Sequence, residues 1–130
     1  MEKVSPVSIF TCRIQEEPGA VVLHLNGEID LAAAPLLDVE LGRGLERSQT
    51  VIIDFSEVVY CDMSGVRALE RFHAALGHRG RDLIVVSSGI IRRLFALVEL
   101  DKRITMADTP EGARAFLPHA GSRLMDSGEG

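Results

Sequence analysis

Long apolar runs are missing from this chain of 130 residues. Its apolar stretches are a few residues long, far short of the roughly 20 that a membrane-spanning helix needs. The first residues, Met1 to Pro6, lack the apolar segment that follows the basic residues of a signal peptide. We therefore expect a soluble, cytoplasmic protein with no membrane partner.

Positive charge is also scarce. The 14 Lys and Arg residues are outnumbered by 19 Asp and Glu residues, which gives a formal net charge of -5. Nucleic acid repels such a chain, and the pairs Arg92-Arg93 and Lys102-Arg103 are too short to form a basic stripe. The composition therefore predicts no direct nucleic-acid partner.

Cysteine is limited to Cys12 and Cys61, which do not form a C-x-x-C pair. Two cysteines in a cytosolic chain usually remain reduced, so neither a disulfide nor a redox motif is predicted. The sequence also contains no P-loop, no GxGxxG motif and no cluster with metal-ligand spacing. We expect no cofactor and no metal.

The residues that are present have an ordinary globular composition, 46% hydrophobic and 25% charged. A chain of this length can bury one apolar core without covalent staples. We assign the domain to residues 9–117. Residues 1–8 and the Gly- and Ser-rich tail 118–130 are predicted to be flexible ends.

Strand-like and helix-like segments alternate along the domain. The first two predicted strands flank turn residues at 16–19 and predict a hairpin. The order predicts an α/β fold, a single mixed sheet of four to five strands packed with about four helices, the later strands largely parallel. Periodicity does not decide whether the helices cover one face or both. The predicted strands are 10–14, 20–26, 51–55, 83–86 and 104–106, and the predicted helices begin near Pro35, Ser64, Gly89 and Thr109.

Three loops follow the carboxyl ends of predicted strands, where sites in open α/β sheets gather. They are 27–30, 60–65 and 87–89. If the crossovers are parallel, all three loops lie on one rim of the sheet. Asp30, Asp62, Ser64 and Ser88 are then candidate functional residues.

Each candidate also has a simpler explanation. A serine or aspartate just before a helix usually caps it, which would account for Ser64, Asp62 or Ser88. Asp30 can serve as a turn former. Catalysis by Ser64 is disfavoured, because the G-x-S-x-G motif is absent and no histidine is obviously placed to activate the hydroxyl. We expect that the protein is not an enzyme.

Several segments, taken together and in order, resemble the STAS domain family, and within it the anti-sigma factor antagonists. Residues 27–32 followed by Pro35 resemble the family's G-E-[IL]-D-x-x-x-x-P opening, and residues 51–58 resemble its L-V-L-D-L-S-x-V strand. Residues 61–66 resemble the x-D-[ST]-S-G-[LV] switch loop, and residues 92–95 and 100–101 resemble the third helix and its exit. The resemblance spans about residues 10–117 and implies the STAS fold.

The resemblance also implies a partner-switching function. The expected partner is an anti-sigma factor with a histidine-kinase-like ATPase fold, which the unphosphorylated antagonist binds so that a sigma factor is released. That partner then phosphorylates the serine before glycine, here Ser64, and a separate phosphatase restores the active form. We expect the partner to contact Asp30, Asp62, Met63, Ser64, Gly65, Arg67 and Ser88.

The sequence departs from the family pattern at two positions. Met63 stands where Ser or Thr is common, and Arg67 stands where a small residue is usual. The Arg67 guanidinium, one turn after Ser64, could neutralise a phosphate, which would either soften the switch or help to hold the phosphorylated form. The alternative function is a STAS scaffold or transporter-accessory module that is never phosphorylated.

Overall fold

The computed structural model describes residues 9–46 and 50–117. It confirms the predicted α/β class, with a five-stranded mixed sheet and four α-helices in the described residues. The predicted flexible ends, 1–8 and 118–130, lie outside the described residues. In chain order the elements are β1 (Thr11–Glu17), β2 (Ala20–Ile29), α1 (Ala34–Leu45), β3 (Thr50–Cys61), α2 (Met63–Gly77), β4 (Leu83–Val86), α3 (Gly89–Leu97), a 3-10 turn (Leu100–Lys102), β5 (Thr105–Ala107) and α4 (Pro110–Arg114).

The strands lie in the sheet in the order in which they occur in the chain. β1 and β2 form the predicted antiparallel hairpin, and the pairs β2–β3, β3–β4 and β4–β5 are parallel, also as predicted. The hairpin turn is tighter than the sequence indicated. Glu16 and Glu17 belong to β1 and pair with residues of β2. Only Pro18 and Gly19 therefore form the turn, with Gly19 at a φ of +82°.

The helices cover both faces of the sheet, which periodicity had left open. On one face, α1, α2 and α3 bury residues such as Leu37, Leu69 and Phe95 against Leu23 and Ile53. On the other face, the short helix α4 buries Ala113. It packs there with the alternate sheet residues Ala20, Val22, Ile52, Ile84, Val86 and Ala107. In the described residues, no helix has the length and apolar character needed to cross a bilayer.

β2 and β3 extend well beyond their predicted ends at residues 26 and 55. β2 continues to Ile29 and β3 to Cys61, and these two residues lie opposite each other. The exposed polar residues Ser56 and Glu57 resemble a loop in sequence. Glu57 stays in the strand because it pairs with Asn26 of β2, a partner that the local sequence does not reveal. Ser56 lies at a register shift, and its N–H donates to Asp54 Oδ1.

Gly27 explains how β2 continues through a residue that resembles a strand end. The register between β2 and β3 shifts on either side of it, between His24 and Asn26 and between Gly27 and Glu28. Gly27 has a φ of +105°, and a β-carbon there would lie 2.4 Å from the carbonyl oxygen of Ile9. Only glycine fits this irregularity, so the strand bends and continues to the candidate site.

Candidate functional site at the ends of β2 and β3

The long ends of β2 and β3 bring two of the predicted site loops together. Asp30 follows Ile29 and Asp62 follows Cys61, and the Asp62 N–H donates a 3.1 Å hydrogen bond to the Ile29 carbonyl oxygen. Neighbouring strands lie about 4.8 Å apart, so the two aspartates begin adjacent turns. Asp30 leads into α1 and Asp62 leads into α2.

Asp62 is the N-cap of α2. Its backbone is extended, and its Oδ1 accepts a 2.8 Å hydrogen bond from the Ser64 N–H. Its carbonyl oxygen accepts from the N–H groups of Gly65 and Val66, at 3.1 Å and 3.3 Å. The capping explanation is therefore right for Asp62 and wrong for Ser64, which is the second residue of the helix.

The Ser64 hydroxyl remains uncommitted because Asp62 does the capping. The Ser64 residue is partly exposed. In the part of the chain that the structure describes, its Oγ makes no hydrogen bond. The arrangement places a partly exposed hydroxyl without a hydrogen bond on the first turn of a helix.

Asp30 shapes the start of α1. Its Oδ1 accepts a 3.0 Å hydrogen bond from the Ala33 N–H, and its carbonyl oxygen accepts from Ala33 and Ala34 at 3.1 Å and 3.0 Å. The expected turn-forming role of Asp30 is confirmed. The carboxylate is also partly exposed, beside the loop that carries Asp62.

Gly65 allows α2 to begin directly against the strand ends. The residue is buried, and a β-carbon placed on it would lie 2.5 Å from the Cys61 Sγ and 2.9 Å from the Ile29 Cγ2. Real β-carbons do not approach other atoms so closely. Glycine is therefore required for the first turn of α2, and hence Ser64, to lie where it does.

The match to known proteins covers this site and most of the fold. The family model described as "STAS domain" matches residues 11–113. The chain belongs to the STAS domain family. Its curated relatives include the anti-sigma-F factor antagonist RsfB of Mycobacterium tuberculosis, 29% identical over 106 residues, or 81% of this chain and 86% of RsfB.

Solved structures agree with the STAS assignment. An anti-sigma factor antagonist from Mycobacterium paratuberculosis superposes with a TM-score of 0.76 at 25% identity, over 88% of this chain and 98% of that one. The unphosphorylated antagonist SpoIIAA superposes with a TM-score of 0.61 at 20% identity, over 94% of this chain and 99% of that one. A phosphorylated form of Bacillus SpoIIAA shares the same fold, with a TM-score of 0.60 at 21% identity, over 78% of this chain and 94% of that one.

In this STAS domain, exposed apolar side chains lie on the segments around Ser64. We call them the apolar collar: Leu31 is 77% exposed, Val59 71%, Tyr60 49% and Met63 39%. Sequence reasoning selected Met63 and missed the other three residues. Apolar residues next to polar turn motifs at strand ends were the available signal, and exposed apolar patches commonly mark interaction sites.

The STAS domain holds Arg67 one turn after Ser64, on the exposed side of α2. In the described residues Arg67 makes no hydrogen bond and no ion pair. Its neighbour Arg71, by contrast, bonds both carboxylate oxygens of Asp38 at 3.2 Å. Arg67 is therefore available to a ligand, a partner or a modified side chain.

Ser88 does not lie with the other candidates. It occupies the exposed N-cap position of α3, and its side chain makes no capping hydrogen bond. β4 ends at Val86, opposite Asp54, whereas β3 continues beyond Asp54 to Cys61. Cys61 is seven residues beyond Asp54 and Ser88 is two residues beyond Val86, so at about 3.3 Å per residue the end of β3 lies about 15 Å farther along the sheet than Ser88. The three loops were expected to lie together on one rim of the sheet. The loop with Ser88 lies apart from the other two, because β4 is much shorter than β3.

Neither His24 nor Cys61 supplies reactive chemistry to the site. The ring nitrogens of His24 lie 2.9 Å from Asp54 Oδ2 and 3.0 Å from Gln15 Oε1, so His24 is bound to other partners. Cys61 is buried, and burial, with a contribution from the Asp62 charge, raises the pKa of its thiol to about 12. Its thiolate population at neutral pH is negligible, which argues against redox control through Cys61.

Proposed function

We propose that this STAS domain is an anti-sigma factor antagonist, a regulatory binding protein and not an enzyme. Its partner is an anti-sigma factor with a histidine-kinase-like ATPase fold. The unphosphorylated chain binds that partner through the apolar collar and the first turn of α2, and a sigma factor is released. The uncommitted, partly exposed hydroxyl of Ser64 at the start of α2 is the observation that carries this proposal.

Similarity to named proteins gives independent support. RsfB and the Mycobacterium paratuberculosis protein are named as anti-sigma factor antagonists, and each is matched over more than four fifths of both chains. A STAS-type fold also exists in a phosphorylated form, that of Bacillus SpoIIAA. The antagonist function is therefore the simplest one that fits both the relatives and the site.

Phosphorylation ends the interaction in this proposal. The partner holds ATP, and the Ser64 Oγ attacks the γ-phosphorus of that nucleotide. A new Oγ–P bond forms, the bond from the γ-phosphorus to the β,γ-bridging oxygen breaks, and ADP leaves. The hydroxyl proton passes to a basic group of the partner. A separate phosphatase later hydrolyses the serine ester with water and restores the hydroxyl.

Electrostatics explains why the phosphorylated form would dissociate. A phosphate adds a charge of about -1.5 to -2 near neutral pH. Asp62 is two residues from Ser64, and Asp30 lies on the adjacent loop, so the new charge faces existing carboxylates. Docking through the apolar collar would also remove water from the phosphate, which is costly. Like-charge repulsion and desolvation both weaken docking.

Binding measurements with four single substitutions, two at Ser64 and two at Ser88, test the proposal. The partner in these measurements is a purified anti-sigma ATPase from the same organism. We expect Ser64→Ala to bind it with the affinity of the wild type, and Ser64→Glu to bind it at least tenfold more weakly. Ser88→Ala and Ser88→Glu are matched controls, because Ser88 also begins a helix but lies outside the site. Equal affinities for all Ser64 variants would overturn the proposal.

Mass spectrometry tests the phosphorylation step separately. After incubation with the ATPase and ATP, we expect one added phosphate, located on Ser64 and absent from Ser64→Ala. A chain that binds the ATPase tightly yet never gains phosphate would instead be a scaffold or accessory STAS module.

A further inference from the structure

The arginines of α2 differ in what they bind. Arg71 is paired with Asp38, to which its Nη2 donates at 3.2 Å. Arg67 is exposed and, in the described part of the chain, makes neither a hydrogen bond nor an ion pair. An exposed arginine without an acid partner, one helical turn from a candidate phosphorylation site, needs an explanation of its own.

Helix geometry directs Arg67 towards Ser64. Residues three apart on a helix are surface neighbours, with β-carbons about 5–6 Å apart. Side chains also lean towards the helix N-terminus, so a side chain as long as that of Arg67 can reach over the turn that contains Ser64. A guanidinium in this position is within reach of a group attached to the Ser64 Oγ.

The carboxylates around this part of α2 do not compete strongly for Arg67. Glu70, three residues after Arg67 on the helix, is paired with Arg103. Asp62 accepts the Ser64 N–H through Oδ1, and Asp30 accepts the Ala33 N–H through Oδ1. Neither carboxylate is bonded to Arg67. Before modification, the two aspartates and Arg67 thus surround Ser64 with more negative than positive charge.

We infer that Arg67 is the internal counter-ion of phosphorylated Ser64. This inference rests on the proposed function, because it assumes that Ser64 carries a phosphate. The planar guanidinium donates two N–H groups to phosphate oxygens, a geometry that lysine cannot reproduce. The pair stabilises the dianionic phosphate, holds it against the first turn of α2 and removes Arg67 from the surface offered to the partner.

Phosphoserine placed at position 64 during translation permits a direct test that needs no kinase. In a ³¹P NMR pH titration of the full chain, the Arg67 charge should favour the dianion. Arg67→Ala should therefore raise the midpoint of the phosphate titration by about 0.3 to 0.7 pH unit, as expected for an exposed ion pair. Arg67→Lys should give a smaller rise.

Arg93→Ala is the matched control, since Arg93 is also exposed and, in the described residues, unpaired, but lies on α3. It should leave the midpoint unchanged. Higher salt should shrink the difference between wild type and Arg67→Ala. Equal midpoints for wild type and Arg67→Ala at low salt would overturn the inference.

Thermal unfolding gives a second readout. The unphosphorylated wild type and Arg67→Ala should melt together, whereas phosphorylated Arg67→Ala should melt below the phosphorylated wild type. A loss of stability in both forms would identify Arg67 as a general structural residue and overturn the inference. If the anti-sigma ATPase never modifies Ser64, the proposed function fails, yet these experiments still report on Arg67.

Discussion

Ser64 donates its backbone N–H to Asp62 at 2.8 Å and keeps its own hydroxyl unbonded in the described chain. The aspartate thus takes the capping task that a serine at a helix start commonly performs. The division of roles between Asp62 and Ser64 caps α2 and, in the described residues, leaves the hydroxyl of its second residue without a hydrogen bond. It also allows the stability of the helix and the role of the Ser64 hydroxyl to be tested with different substitutions.

Removal of the Asp62 cap should destabilise the fold. Asp62→Ala leaves the Ser64 N–H without its acceptor, and we expect a loss of about 1 kcal/mol in the free energy of unfolding. Asp62→Asn keeps an acceptor oxygen and should lose only a few tenths of a kcal/mol, from the missing charge at the helix N-terminus. Urea unfolding at neutral pH measures both. An alanine variant as stable as wild type would contradict the assigned cap.

Gly65 should not tolerate a side chain. A β-carbon there meets the Cys61 Sγ at 2.5 Å and the Ile29 Cγ2 at 2.9 Å, so Gly65→Ala overpacks the junction. We expect a loss of about 1–3 kcal/mol in the free energy of unfolding and a displaced first turn of α2. Thermal melting and binding to the anti-sigma ATPase should both deteriorate.

Gly77 provides the control for this prediction. It is the last residue of α2, and nothing lies within 4 Å of a β-carbon placed there. Gly77→Ala should therefore be neutral, or stabilising by up to about 1 kcal/mol. Cys61→Ala combined with Gly65→Ala should recover part of the stability, because it removes the closest atom. If Gly65→Ala and Gly77→Ala melt alike, the proposed crowding is wrong.

Asp54 should make stability depend on pH. Burial alone would raise the pKa of this carboxyl, but hydrogen bonds from the Ser56 hydroxyl, the Ser56 N–H and His24 outweigh it, so the pKa is lowered from 3.8. The carboxylate therefore stabilises the fold fully above the unfolded-state pKa, and this contribution is lost as the pH falls through the lower folded-state pKa.

Comparison with Asp54→Asn isolates that contribution. At neutral pH the variant should be less stable than wild type. The gap should narrow as the pH falls below about 4, because Asp54 of the unfolded chain then takes up a proton more readily than Asp54 of the folded chain. Guanidinium unfolding at several pH values between neutral and strongly acidic measures the gap. A gap that is constant with pH would show that the Asp54 charge does not contribute.

The ion pair between Glu17 and Arg114 should tie α4 to the sheet edge. Arg114 donates through Nε to Glu17 Oε1 at 2.6 Å and through Nη2 to Glu17 Oε2 at 3.2 Å, and the two residues are 97 positions apart in the chain. Arg114 is more than a third exposed, so solvent screening limits the coupling to about 1 kcal/mol or less. A double-mutant cycle with Glu17→Gln and Arg114→Gln should measure it, and the coupling should fall in high salt. Additive effects of the two substitutions would contradict it.

The sequence by itself determined features that depend on near neighbours. The turn chemistry before Ala20 predicted the β1–β2 hairpin, and the run Leu83–Val86 predicted a buried strand with the observed bounds. Thr109 was predicted to begin a helix, and its Oγ1 accepts the Gly112 N–H at 2.9 Å. The motif around Ser64 indicated the STAS family, which the family model confirms.

The tertiary structure decided the features that depend on distant parts of the chain. The ends of β2 and β3 are strands because each supplies the other's hydrogen bonds, an effect that neither local sequence reveals. That pairing sets the start of α2, makes Asp62 the cap and leaves the Ser64 hydroxyl free. The short β4 places Ser88 away from the Ser64 loop, and the folding of the chain leaves the apolar collar exposed on the surface. Helix starts follow from nearby residues, whereas exposure and proximity follow from strand register, which long-range pairing fixes.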